Sequence, residues 1–379
     1  MRKKILSIDY IRGISILAII MIHIISLNDS MISNSWYLGS NVLFLLRDIL
    51  QFAVVAVVIC SGISMYNAYK EVPRVWYFYM LRIGRLLKPW FLFSIIYFTF
   101  FWIIRLVTGL RYVPLDFVYI IQTITMIGGL GVGWLVLLML MLMLAHPILL
   151  YGRKKLGNKK QQLLLLLIYG FSYGLYVSLG ISYKEYVALQ VPIIGLLSLG
   201  VAFAAGWMFI YGMAFSFSEI ARLQHIKHEL QLFFYSLLAT GASLVLWWVI
   251  TPGQPLYSIK YPPSPLYLSI GLLGTSLLFL MIHAYQDHLQ NVIGRILQYF
   301  SRNSFEIFTF SLLVQALMSP VLFQFIGHMY IRFIAEFIIN VLVTVGVVGL
   351  YNKMLRFAAG IWRRLDQDAR AIPDMEKGK

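Results

Sequence analysis

Residues 8–27 read IDYIRGISILAIIMIHIISL: one acidic and one basic residue, Asp9 and Arg12, then an apolar run broken by a single histidine, His23. About 20 mostly apolar residues carry a helix across the hydrocarbon layer of a membrane. This run has that length, and no small-residue cleavage site follows it, so it reads as a retained span and not as a signal peptide. The rest of the 379-residue chain agrees, with 60% of its residues hydrophobic and only 12% charged. A soluble chain carries about 25% charged residues, so the usual polar coat is missing. A mean hydropathy of +0.80 marks an integral membrane protein. Soluble enzymes, disordered scaffolds and secreted disulfide domains are excluded. The single cysteine, Cys60, allows neither an intramolecular disulfide nor a multi-cysteine metal site.

The same template is met again at 49–69, 86–107, 132–151, 163–180, 193–215, 232–250, 265–284, 304–324 and 330–352. The expected fold is therefore all-α and polytopic, with about ten transmembrane helices. The stretch near 115–130 is apolar but short and ends in Gly128, Gly129 and Gly131, so a re-entrant or interfacial segment is expected there. Basic residues alternate along the chain. Arg2, Lys3 and Lys4 precede the first span, Lys70, Arg74, Arg82 and Arg85 follow the second, and Arg153, Lys154 and Lys155 follow the fourth. Lys353, Arg356, Arg363 and Arg364 follow the tenth, whereas the opposite loops hold few, such as Arg111, Lys184, Lys260 and Arg332. The positive-inside rule then places both termini in the cytoplasm. It also assigns the formal charge of +16 to lipid topology and not to a nucleic-acid partner. The expected division is a transmembrane domain over 1–358 and a basic cytoplasmic tail over 359–379 that lies on anionic lipid.

Ionisable groups inside a span are costly and mark functional sites by default. Arg12 and His23 are eleven residues apart, close to three helical turns, so they share one helix face. They are separated by about 16 Å of rise, with Arg12 near the cytoplasmic boundary and His23 past the midplane. The two do not touch, but one elongated ligand would reach both. The plain alternative is that Arg12 snorkels to the inner headgroups and His23 bonds a neighbouring helix.

These residues resemble the opening of the acyltransferase-3 family, whose first helix reads Leu-Asp-x-Leu-Arg-Gly with a histidine eleven residues after the arginine. Three further blocks follow in the family's order. Ile59-Cys60-Ser61-Gly62-Ile63 resembles the Phe-x-x-Ser-Gly-Phe block, and Arg82-Ile83-Gly84-Arg85-Leu86-Leu87-Lys88-Pro89 resembles Arg-x-x-Arg-Leu-x-Pro. Gly133-Trp134-Leu135 through Pro147 resembles the Trp-Phe-Leu helix that ends in proline. One block departs: the family's Ser-Tyr-Ser-Leu-Tyr-Leu-x-His stands here as Ser304-Phe305-Glu306-Ile307-Phe308-Thr309-Phe310-Ser311, with serine at the second histidine.

The resemblance implies transfer of an acyl group, acetyl or succinyl, from an acyl-CoA donor to a hydroxyl of an envelope glycan or glycolipid. His23 is then the expected general base, because a neutral imidazole can take the proton of an attacking sugar hydroxyl. Arginine recognises phosphate bidentately, and Arg82 and Arg85 share a face at the expected cytoplasmic start of the third helix. With Arg12 and Lys88 they would form a basic vestibule for the donor; the plain reading is a positive-inside cluster. Glu306, Trp134, Lys260 and Tyr261 are the expected substrate-binding residues. Glu306 would pair with a vestibule arginine or orient the donor, while Glu336 reads as structural. Lys260 and Tyr261 lie in a loop, 251–265, that holds five of the twelve prolines and is stiffened by them. Lys260-Tyr261-Pro262-Pro263 resembles an element of part of the family. No cysteine or acidic pair completes a ligand set around His225 and His228 or around His283 and His288, so no metal is expected. The expected partners are acyl-CoA, the glycan or glycolipid acceptor, the lipid bilayer and a polysaccharide-synthesis or acyl-relay protein. The expected location is the plasma membrane of a bacterium. A saccharide transporter or flippase is the alternative. A non-catalytic scaffold of a polysaccharide synthase is a third reading, to which Ser311 lends weight.

Overall fold

The computed structural model describes residues 5–32, 38–69, 75–108, 120, 133–179, 193–223, 226–250, 262–285 and 288–376. Among them the regular elements are all helical. In chain order they are α1 (Leu6–Ile32), α2 (Leu38–Leu50), α3 (Phe52–Ala68), α4 (Val75–Thr108), α5 (Gly133–Leu156), α6 (Asn158–Ser178), α7 (Ile193–Leu223) and α8 (Ile226–Ile250). Then follow α9 (Pro265–Tyr285), a 3₁₀ turn (His288–Gln290), α10 (Val292–Arg302), α11 (Ser304–Phe325) and α12 (Met329–Glu376). Among the described residues eight helices are long and apolar enough to cross a membrane, so the protein is a polytopic all-α membrane protein. The other two expected spans are the helices α6 and α11, the latter apolar over Ser304–Ser319.

Two boundaries move. The apolar run of the second span opens at Val42, in α2, and Gln51 joins it to α3. The third helix starts at Val75, eleven residues before the expected 86, so Arg82, Arg85 and Lys88 stand inside it. The reason is that Trp76, Tyr77 and Phe78 prolong the apolar pattern ahead of the basic block. The final helix continues from its apolar part into the basic segment as far as Glu376. The expected re-entrant segment lies outside the described residues, apart from residue 120.

The chain divides into two compact units, one of Met1–Ile22 and Ser35–Arg302, the other of His23–Asn34 and Asn303–Lys379. Helix α1 contributes its first part to one and its last part to the other. The first unit is built on α3, which packs against both α7 and α9. Its sequence, FAVVAVVICSGISMYNA, is apolar or small all round, and a helix of that kind is buried on every side. Gly157, the single residue between α5 and α6, has a φ of 78° and donates its N–H to the Arg153 carbonyl at 2.9 Å. Glycine adopts that conformation without a Cβ penalty, which lets the two helices turn on one residue. In the second unit α11 and α12 pack along each other.

Candidate functional site

The acidic, tyrosine and glycine positions of the first-helix block face α10. Ser301 donates its hydroxyl to Asp9 Oδ1 at 3.0 Å, and the Tyr10 hydroxyl donates to the Leu289 carbonyl at 3.2 Å. A Cβ on Gly13 would collide with the carbonyl oxygen of Leu297, so glycine is what allows the α10 backbone this close. Arg12 turns to α3 instead. Its Nη2 donates to the Cys60 carbonyl at 3.0 Å and to Ser64 Oγ at 2.7 Å, and Ser64 itself donates to that carbonyl at 2.8 Å. The Arg12 Nε is buried without a hydrogen-bond partner.

Two more arginines address the same end of α3. Arg82 donates from Nε to the Tyr69 hydroxyl at 2.9 Å, with its guanidinium 4.4 Å from the centre of that ring. Arg153 sits 5.2 Å from the Tyr66 ring and 5.7 Å from the Phe215 ring. It also pairs with Glu219 at 2.6 Å and donates to Asn158 Oδ1 at 2.8 Å. The carboxyl end of a helix carries partial negative charge, so gathering guanidinium groups there is favourable. Aromatic faces, hydroxyls and carbonyls hold Arg12 and Arg82 without neutralising them, whereas Arg153 is paired with Glu219.

Of the expected vestibule, Arg12 and Arg82 meet the last turns of α3, whereas Arg85 and Lys88 are exposed on α4. At about 100° per residue, Lys88 lies some 120° round the helix from Arg82. Arg153, expected only as a topology charge, takes a place in the cluster.

His146, in α5 just before Pro147, was not among the expected site residues. It is fully buried. Its Nδ1 and the Tyr211 hydroxyl are hydrogen-bonded at 3.0 Å, and its ring stacks on Phe78 at 5.6 Å. Phe78 in turn meets Tyr69, the partner of Arg82, at 5.0 Å. The sequence signal was available: His146 interrupts an apolar span as His23 does.

Trp134 opens α5 and lies 6.4 Å, ring to ring, from Trp207, which meets Tyr267 at 6.2 Å. Nearby, Tyr169 donates its hydroxyl to the Pro263 carbonyl at 2.7 Å, which anchors the end of the proline-rich loop. Lys260 and Tyr261, expected to bind substrate, lie outside the described residues.

In the second unit His23 packs against Phe308 of α11, with ring centres 6.0 Å apart. Glu306, in the first turn of α11, is half-buried with Tyr351 of α12 as its electrostatic neighbour. Between α11 and α12 runs a buried polar seam. Ser319 donates to Glu336, Asn340 donates from Nδ2 to the Ser311 carbonyl at 2.9 Å, and Thr344 donates to Asn340 Oδ1 at 3.2 Å. Arg332 stands one turn before Glu336 and interacts with it electrostatically. In the series 332, 336, 340, 344 each residue stands one turn beyond the last, so successive members are neighbours along α12.

A family model described as an acyltransferase domain matches residues 5–352, nearly the whole chain. The chain belongs to the acyltransferase-3 family. It is accordingly a multi-pass membrane acyltransferase. Comparison with curated proteins and with solved structures finds no match. Two of the blocks that carried the family resemblance now have physical content. The Asp-x-x-Arg-Gly block seats α10 on α1 and sends its arginine to α3. Gly62 of the second block brings α7 close, since a Cβ there would stand 2.6 Å from the Ala214 methyl. At the departure from the family pattern, Ser311 bonds its own helix, donating to the Phe308 carbonyl at 2.8 Å, while its carbonyl holds Asn340.

Proposed function

We propose that this acyltransferase moves an acetyl or succinyl group from acyl-CoA to a hydroxyl of a cell-surface polysaccharide or lipid-linked saccharide. The observation that carries the donor reading is the gathering of Arg12, Arg82 and Arg153 around the last turns of α3. Arg82 is held through Nε and ring face, which leaves its two Nη groups available to a phosphate, the geometry bidentate recognition requires. The basic-residue pattern supports a cytoplasmic position for this end of α3, where acyl-CoA is made. The membrane is taken to be a bacterial plasma membrane with both termini inside.

His23 lies eleven residues beyond Arg12 on the same helix and acts as the general base. The acceptor hydroxyl gives its proton to the neutral imidazole as its oxygen attacks the thioester carbonyl. The new C–O bond forms, the C–S bond breaks, and the departing thiolate takes the proton from the imidazolium. Trp134, half-buried at the start of α5 and backed by Trp207, offers an aromatic face of the kind that stacks on a pyranose ring, and Lys260 and Tyr261 are the further residues assigned to the acceptor.

The test uses protein in nanodiscs with radiolabelled acetyl-CoA and succinyl-CoA. Thioester hydrolysis and label transfer to envelope glycan and lipid extracts are followed for wild type, His23→Ala and Arg12→Ala. Transfer by the wild type that disappears in both variants supports the reading. Absence of coenzyme A binding and of turnover in the wild type overturns it.

A further inference from the structure

The fully buried imidazole of His146 has one nitrogen used and one unused. Nδ1 is bonded to Tyr211, while Nε2 is buried with no hydrogen-bond partner. Leaving a buried polar atom unmade costs about 1–3 kcal/mol, so such an atom marks either a defect or a place kept for a ligand. Its surroundings argue for the ligand. Phe78 on one face and the edges of Tyr211 and Phe215 fix the ring, at centroid distances of 5.6, 5.8 and 5.7 Å. The same Phe78 touches Tyr69, and Tyr69 holds Arg82, whose charge reaches both His146 and Tyr211. A fixed cation and a fixed, unsatisfied imidazole nitrogen thus stand one aromatic layer apart within one unit.

A ligand that uses both carries an anionic head and, next to it, a slender arm with amide groups. We propose that His146 is a donor-binding residue whose Nε2 hydrogen-bonds an amide of the pantetheine arm while Arg82 takes the phosphate head. This rests on acyl-CoA being the donor. Tyr211 is a positioning residue, setting the imidazole through Nδ1.

Binding is measured in nanodiscs with three soluble probes: coenzyme A, pantetheine 4′-phosphate, which keeps the arm, and 3′,5′-ADP, which lacks it. For His146→Phe, affinity for coenzyme A and for pantetheine 4′-phosphate falls about tenfold, the loss of one hydrogen bond, and 3′,5′-ADP is unaffected. His146→Gln, which keeps a donor, recovers part of that loss, and Tyr211→Phe falls in between. Arg82→Ala weakens all three probes. If His146→Phe leaves every probe unchanged, or weakens all three alike as a general packing loss would, the proposal is overturned. If His146→Phe fails to fold, the split between probes in His146→Gln and Tyr211→Phe decides, and no split overturns it. A wild type that binds none of the probes removes the acyl-CoA reading itself, whereas binding by the wild type with no arm-specific loss removes only the role of His146.

Discussion

The two compact units handle polarity within a membrane in opposite ways. The unit built on α3 concentrates positive charge, with Arg12 and Arg82 held by carbonyls, hydroxyls or an aromatic face around one helix end and Arg153 paired with Glu219 beside them. The unit of α11 and α12 concentrates groups of little net charge, as Ser319, Glu336, Asn340 and Thr344 satisfy one another in a seam buried beside the helix that His23 meets. A guanidinium held from one side still has donors to give an outside anion. A seam whose members bond each other has little to give, and its function is to fix two helices. The first arrangement suits recognition of a charged substrate; the second suits rigid placement of one reactive group.

The sharpest way to break this division is His23→Gln. In the proposed role of general base, His23 would contribute about 10²–10⁴ in rate, so label transfer is expected to fall by that factor. Coenzyme A binding, proposed to belong to the arginine unit, is expected to stay within about twofold of wild type. A matching fall in donor affinity would show that the units do not divide the work in this way. An unchanged transfer rate would remove His23 as the general base.

Next in size is Glu336→Leu. Removing one member of a buried, paired group costs about 3–5 kcal/mol, because Arg332 is left without its charge partner. Glu336→Gln, which keeps a hydrogen-bond acceptor for Ser319, loses less. Thermal unfolding in detergent separates them, and equal melting temperatures for wild type and Glu336→Leu would show that the seam does not hold α11 to α12. Asn340→Leu is expected to cost about 1–3 kcal/mol by stranding the Ser311 carbonyl and the Thr344 hydroxyl. Donor affinity is unmoved in both variants that stay folded.

The fold class was open to reading because lipid imposes a simple rule: an apolar run of about 20 residues must close its own backbone hydrogen bonds as a helix. Helix starts were less legible. Trp76, Tyr77 and Phe78 belong equally to an interfacial belt or a first helical turn, and α4 takes them in from Val75 with Phe78 alone of the three buried. Of the site, Arg12 and His23 were visible because charge inside a span is rare. Arg153 was hidden by its company, since Lys154 and Lys155 follow it and the run explains itself as topology. The seam was hidden for another reason. Ser, Thr and Asn are common in spans, and their significance here lies in α11 facing α12, a pairing that residue spacing on one helix does not contain.

The smallest effect is the most informative about Arg12. Its Nη2 has two acceptors on α3, the Cys60 carbonyl and the Ser64 hydroxyl. Ser64→Ala removes one and leaves the other, and it also frees the Cys60 carbonyl from the competing Ser64 donor. The carbonyl bond to Arg12 then strengthens as the hydroxyl bond is lost, so the net cost falls at or below the low end, about 0.5 kcal/mol, of what one hydrogen bond contributes. A threefold or smaller loss of coenzyme A affinity follows, read by the same binding measurement in nanodiscs. Arg12→Lys, which keeps the charge but presents a single point to two acceptors, should lose more than Ser64→Ala does. The reverse order would mean that Arg12 acts through charge alone and that its placement by the carboxyl end of α3 contributes nothing to holding the donor.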